Sequence, residues 1–117
     1  KIPPRLKAGV QEGAGLTQAE YRAALVQRAH WRNMHDELAR RCDGMITLSS
    51  PGPGPIGIDQ GSAIYNESSS IIGMPAISLP LLSVEDVPLG VQLQGYSDGD
   101  EALTASGRWI SQYILNS

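Results

Sequence analysis

The sequence predicts an α/β fold: a small mixed sheet flanked by two long helices on one side. Three observations point there. Apolar residues recur at helical spacing from Thr17 to about Gly44. Two runs of strand character, "AISLPLL" (Ala76 to Leu82) and "LGVQLQG" (Leu89 to Gly95), are joined by a short polar turn. A second helical repeat closes the chain, with Leu103, Gly107, Ile110 and Ile114 on one face.

The elements follow in order. Residues 1–16 are rich in Pro and Gly, lack periodicity and read as an arm or loop. Residues 17–117 read as one domain, which fits a chain of 117 residues. Thr17 and Glu20 have capping-box spacing and open the long helix. Tyr21, Ala24, Leu25, Trp31, Met34, Leu38 and Cys42 form its apolar stripe. Asp36 with Arg40 and Glu37 with Arg41 are acid-before-base pairs four apart. Gly44 ends the helix.

"MITL" (Met45 to Leu48) is a short buried strand. The prolines and glycines of Ser49 to Gly61 suit neither helix nor strand. Ser62 to Ile72 reads as a short helix, and Gly73-Met74-Pro75 ends it, because Gly tolerates a left-handed cap and Pro cannot continue a helix. Ala76 to Leu82 is a buried strand. Pro80 confines it to an edge, a bulge or the end of pairing. Ser83 to Pro88 is the turn and Leu89 to Gly95 the next strand, with antiparallel pairing favoured by the short connection. Asp98 and Glu101 have the spacing to cap the closing helix.

Composition narrows the function classes. Hydrophobic residues make up 41% and charged residues 18%, the balance of a soluble globular chain. Aromatics are 5% and Phe is absent, so the core must be aliphatic. With a net charge of -3, no general affinity for nucleic acid or an anionic membrane is implied. No apolar run approaches the roughly 20 residues of a membrane span. Cys42 is the single cysteine, so no internal disulfide forms, which fits a reducing, cytoplasmic setting. The chain starts at Lys1 on "KIPPRLKAG", which reads as an excised or truncated start.

Candidate chemistry is sparse. "ESSS" (Glu67 to Ser70) offers serines but no base beside them, so a solvent-facing or packed helix turn is the plainer reading. His30 and His35 are five apart, whereas paired metal ligands on a helix want three or four. "PGPGP" (Pro51 to Pro55) cannot cradle phosphate, because its prolines lack N–H groups. "DGD" (Asp98 to Asp100) reads as helix capping rather than a calcium loop. Lys1 and Lys7, both in the arm, are the only lysines.

"GMPAISLPLLSVEDVPLGVQLQG" resembles the C-terminal part of the amidase signature family. Gly73 to Pro80 match the family's Gly-apolar-Pro-Ala-Ile-Ser-aliphatic-Pro block. Val87 to Leu93 match its second block, with Val and Leu exchanged. "DGMITLSSPGPGP" resembles the Asp-apolar-Thr-Pro segment and Pro-rich loop, with Leu48 where the first Pro is usual. "LTQAEYRAALVQRAHWR" and "DEALTASGRWI" resemble the preceding and closing helices. Asn66 matches an Asn that some members carry seven residues before the glycine. The resemblance runs from about Leu16 to Ile114.

The resemblance implies part of an enzyme that hydrolyses carbon–nitrogen amide bonds. The family's nucleophilic Ser, bridging Ser and Lys base lie far upstream of these blocks, so no catalytic residue carries over and the chain alone is expected to be inactive. What it implies here is sheet core and a wall of the substrate channel. By that resemblance Ser50, Pro51, Gly52, Pro53, Tyr65 and Asn66 face the channel. No cofactor or metal is implied. The implied partners are the N-terminal remainder of an amidase and a small amide substrate. The alternative is a stand-alone, non-catalytic structural or self-association domain. As isolated, the chain is expected to form a homodimer, because a cut piece of a larger sheet leaves one strand edge and one apolar face without cover.

Overall fold

The computed structural model describes residues 2–54, 57 and 61–115. Two long helices and a small sheet are present, as the sequence predicts. In order the elements are α1 (Pro4–Ala14), α2 (Gln18–Asp36), a 3₁₀ turn (Glu37–Arg40), β1 (Met45–Leu48), α3 (Glu67–Ile72), β2 (Ala76–Val84), β3 (Val87–Gln94) and α4 (Asp100–Leu115).

The sheet has three strands in the order β1-β3-β2. Both pairings are antiparallel, so the expected mixed sheet is antiparallel throughout the described residues. β2 and β3 are joined by a hairpin in which Val84 pairs with Val87. The two residues between them, Glu85 and Asp86, have φ of 50° and 63°. Left-handed backbone at both positions is the geometry that matches strand twist in a two-residue loop, and Asn-Gly is its preferred sequence. Replacing Glu85 by Asn and Asp86 by Gly is therefore expected to stabilise the chain by about 1 kcal/mol, read as a higher denaturant midpoint; an unchanged or lower midpoint rejects the turn assignment.

Pro80 sits where its chemistry requires. Leu79 opposes Val91 and Leu82 opposes Leu89, so Pro80 and Leu81 together stand opposite Gly90. That is a one-residue bulge on an edge strand, the place where a residue without an N–H costs least.

Alternation divides the sheet into two faces. Ile46, Leu93 and Ile77 align across the strands on one face, with Leu48, Val91 and Leu79 beside them. α4 covers this face. A Cβ on Gly107 would run into Ile77 Cδ1, so the missing side chain lets α4 approach β2. Leu103 is 2% exposed, and its Cβ would stand 3.1 Å from a Cβ placed on Gly95. Thr47, Gln92 and Ser78 align on the opposite face, followed by Met45, Gln94 and Ala76.

Several elements depart from expectation: β1 and β2, read as buried strands, have no buried residue along their length, and the short helix starts at Glu67 rather than Ser62. Residues 4–14, read as loop, form α1, with Pro4 and Lys7 in the first turn and Lys7 N donating to Pro3 O. Pro is compatible with the first helical position, because its missing N–H has no partner to lose there. The long helix ends at Asp36 and tightens into the 3₁₀ turn instead of running to Gly44. Three residues per turn aligns positions three apart. Arg40 accordingly pairs with Glu37 at 2.9 Å, and neither of the expected four-apart pairs forms. Asp98 does not cap α4: it lies at φ 56°, and the first helical bond runs from Leu103 N to Gly99 O.

α2 also presents an unexpected face. Its capping box forms as predicted, with Thr17 accepting from Glu20 N while the Glu20 carboxylate accepts from Thr17 N. These Thr17 bonds lower the Glu20 pKa. Yet Tyr21, Leu25, Trp31 and Met34 are exposed, and His35 is the helix's one buried residue. The inward residues are Arg28, Arg32, His35 and Asp36. Arg28 donates to Ile71 O at the C-terminus of α3 (2.5 Å), where a cation meets unsatisfied carbonyls. Arg32 donates to Ser97 Oγ (2.8 Å), and Asp36 accepts from Ser97 N (3.0 Å) and Ser97 Oγ (2.5 Å). Burial alone would raise the Asp36 pKa; the Ser97 bonds and the nearby Arg32 outweigh it and lower the pKa. What α2 packs against is backbone carbonyl and hydroxyl, so its polar face turns inward.

The core is correspondingly thin: Ile72, Met74, Leu89, Leu93 and Leu103 are its buried apolar side chains among the described residues. The radius of gyration is 17.2 Å, against about 13 Å for a compact chain of this size.

Candidate functional site

The polar face of the sheet carries an organised cluster. β1 delivers Thr47 and, just past its end, Ser49, whose N–H donates to Gly90 O (2.8 Å). β3 delivers Gln92 and Gln94, two residues apart and therefore on one face. They are 5% and 1% exposed. Burying two carboxamides is costly unless each is hydrogen-bonded.

They are bonded into a directed relay. Gln94 Nε2 donates to Gln92 Oε1 (2.6 Å) and to Tyr65 O (3.3 Å). Gln92 Nε2 donates to Asn66 Oδ1. Asn66 Nδ2 donates to Ser49 O (2.9 Å). Thr47 Oγ1 also reaches Gln92 Oε1 (3.5 Å). Every carboxamide is oriented by the next, so the relay ties the middle of the sheet to the loop after β1. Asn66 stands at the N-cap position of α3 without capping it, because its side chain is committed to the relay.

The loop itself begins beside a second pair. Ser49 Oγ and Ser78 Oγ lie 2.5 Å apart, directly over Gly90. Any Cβ at Gly90 would run into both hydroxyls. One residue on, Ser50 Oγ donates to Gly52 O and closes the loop on itself. Gly73 ends α3 at φ 71°, as expected of a left-handed cap, and Met74 N donates to Ser69 O (2.9 Å).

The expected channel-facing residues fall around this cluster. Ser50, Gly52 and Pro53 are half-buried and Pro51 is exposed. Asn66 is joined to their loop through Ser49 O, while Tyr65 enters through its backbone carbonyl. The "PGPGP" stretch extends to Pro55, which lies outside the described residues. Ser49, Thr47, Ser78, Gln92 and Gln94 belong to the cluster although sequence reasoning did not select them. Their signal was present in "LGVQLQG": two glutamines on one side of a strand need an answering polar surface.

Chemically the arrangement donates and accepts hydrogen bonds from fixed positions. Among the described residues neither hydroxyl of the Ser49–Ser78 pair has a basic side chain bonded to it, which nucleophilic attack requires. Ser69 is buried and donates to Asn66 O (3.1 Å), a structural use of the serine-rich turn. His35 packs its ring against Tyr96 at 5.1 Å, away from this cluster. Burial, the Cys42 thiol and Asp43 push the Tyr96 hydroxyl up to about 12. Among the described residues no group of three or more His, Cys, Asp or Glu could hold a metal ion, and no helix is long and apolar enough to cross a membrane.

No protein-family model matches the chain. It is similar to a glutamyl-tRNA(Gln) amidotransferase subunit of Wolinella succinogenes, at 31% identity over 101 residues. That match covers 77% of this chain and 22% of the relative. Among solved structures it is similar to one described as the crystal structure of an amidase, with a TM-score of 0.78 and 25% identity. There the match covers 96% of this chain and 29% of the other. The chain thus spans less than a third of the length of either protein.

Proposed function

From its relationship to the amidase signature family, which holds over part of the chain, we propose that this chain supplies sheet core and one wall of the substrate channel in an amide-hydrolysing enzyme. The observation that carries the reading is the carboxamide relay from Gln94 to Ser49, which fixes the 50–53 loop beside Asn66. A wall that orients a small amide needs fixed donors and acceptors, not a nucleophile. The nucleophile and its base come from the remainder of the larger enzyme, the chain's principal partner. The lone cysteine fits a reducing, cytoplasmic setting.

One feature favours the second reading, self-association as a homodimer. Tyr21, Trp31 and Met34 on α2 and Leu6 and Val10 on α1 are large, apolar and exposed. Surfaces of that kind mark interfaces when they are contiguous.

The wall reading is tested with the isolated chain and benzamide. No turnover above background is expected, and any turnover is expected to survive Ser69→Ala. In a nuclear magnetic resonance titration, shifts are expected at Ser50, Gly52, Tyr65 and Asn66. Shifts confined to other regions, or turnover abolished by Ser69→Ala, reject the assignment.

A further inference from the structure

α2 brings two arginines to one spot. Arg28 and Arg32 are one helical turn apart and share a face. Each is pinned through its Nε, Arg28 by the Ile71 carbonyl (2.5 Å) and Arg32 by the Ser97 hydroxyl (2.8 Å). Their Nη ends are thereby held in place, and one from each reaches Gly73. Arg28 Nη2 lies 2.8 Å and Arg32 Nη1 3.6 Å from where a Cβ on Gly73 would stand. Gly73 is exposed and carries no side chain, so solvent reaches the space over its Cα.

Two guanidinium groups at one spot repel each other, and arginine does not relieve this by losing a proton. Among the described residues neither arginine forms an ion pair, and the Nη groups of both lack a hydrogen-bond partner. Asp36 acts on Arg32 through space, but both of its oxygens accept from Ser97. The Ile71 carbonyl takes one N–H of Arg28 and brings no full charge. Positive charge and oriented donors are therefore left over beside Gly73.

We propose that Arg28 and Arg32 bind a phosphate group over the bare backbone of Gly73. The Nε–Nη edge of a guanidinium is the edge that clamps a planar carboxylate through two parallel bonds. On both arginines that edge is closed, because Nε is already bonded. What remains is one Nη from each of two cations, so the ligand must accept from both at once. A phosphate, with nearly two negative charges and several acceptor oxygens, meets that demand. The chain's net charge of -3 disfavours a long polyanion, so the ligand is small: free phosphate or a phosphate monoester.

The test titrates inorganic phosphate and glycerol 3-phosphate separately into the full chain, with chloride adjusted to hold ionic strength constant. The Gly73 amide and the Nε–H signals of Arg28 and Arg32 are followed by nuclear magnetic resonance. Saturable shifts at these groups are expected, and Arg32→Gln is expected to weaken binding by about tenfold. Arg40→Gln, at the arginine paired with Glu37, is expected to leave binding unchanged. Tighter binding of glycerol 3-phosphate identifies a monoester as the ligand, and tighter binding of inorganic phosphate identifies the free ion; either supports the site. Shifts that never saturate, or equal weakening by Arg40→Gln and Arg32→Gln, reduce the effect to general charge attraction and overturn the proposal. Acetate binding as tightly as phosphate overturns the choice of ligand. If Arg32→Gln does not fold, Arg32→Lys is read in its place: it keeps the charge and a donor for Ser97 but has no Nη groups. Binding undiminished in Arg32→Lys overturns the site.

Discussion

Gly90→Val is expected to destabilise the isolated chain by about 3 kcal/mol. Gly90 lies in the central strand, opposite the Pro80–Leu81 bulge and under the Ser49–Ser78 hydroxyl pair. Its Cβ would enter space held by Ser49 Oγ and Ser78 Oγ and stand 3.0 Å from Ser49 Cβ. Rotating the hydroxyls away breaks their mutual bond, and moving Ser49 drags the carbonyl that Asn66 holds. The loss is therefore expected in two readouts: a lower denaturant midpoint and altered resonances from Ser49 to Pro53. Ser78→Ala combined with Gly90→Ala should cost less than the sum of the two changes. Additive costs, or an unchanged loop, dismiss the contact as the cause.

Leu103→Ala is expected to cost about 3 kcal/mol, within the range for truncating a buried leucine. Leu103 is the most buried of the apolar core side chains and the contact through which α4 closes over Gly95. With so few buried apolar neighbours, little can move in to fill the cavity. The midpoint should fall while the Asn66–Gln92 relay, on the other face of the sheet, keeps its amide resonances. A midpoint shift below about 1 kcal/mol would place the core elsewhere.

Much of the fold was legible because its cues are local. Thr17-x-x-Glu20 announces a helix start, Gly73 before Pro75 a helix end, and Pro80 an edge or bulge; each acts through its own backbone. The face that α2 buries was not legible. Spacing identified Tyr21, Leu25, Trp31 and Met34 as a stripe, but inward orientation depends on the neighbour, here the Ile71 carbonyl and Ser97. α1 was missed because prolines and glycines hide its period, and a proline in the first turn does not forbid a helix. The site was half legible. Family resemblance selected the 50–53 loop and Asn66, while Gln92 and Gln94 passed as the polar half of an alternating strand. Only the bonds joining them to Asn66 and Ser49 distinguish a buried relay from a wet face.

The sheet's connectivity sets an order in time. β2 and β3 are separated by a two-residue turn, so their pairing is as local as strand pairing can be, and hairpins of this kind form in roughly 1–10 μs. β1 joins β3 across a far longer closure, with Thr47 and Gln92 45 residues apart. Bringing such ends together carries an entropic cost that nearby partners avoid. During refolding, amides of Leu89 and Val91 are expected to gain exchange protection before those of Met45 and Thr47. Simultaneous protection of both strands would contradict that order. Because Ser49 sits at the end of β1 and Asn66 within the intervening segment, the relay forms after the hairpin, and its loop is the last part of the sheet to take shape.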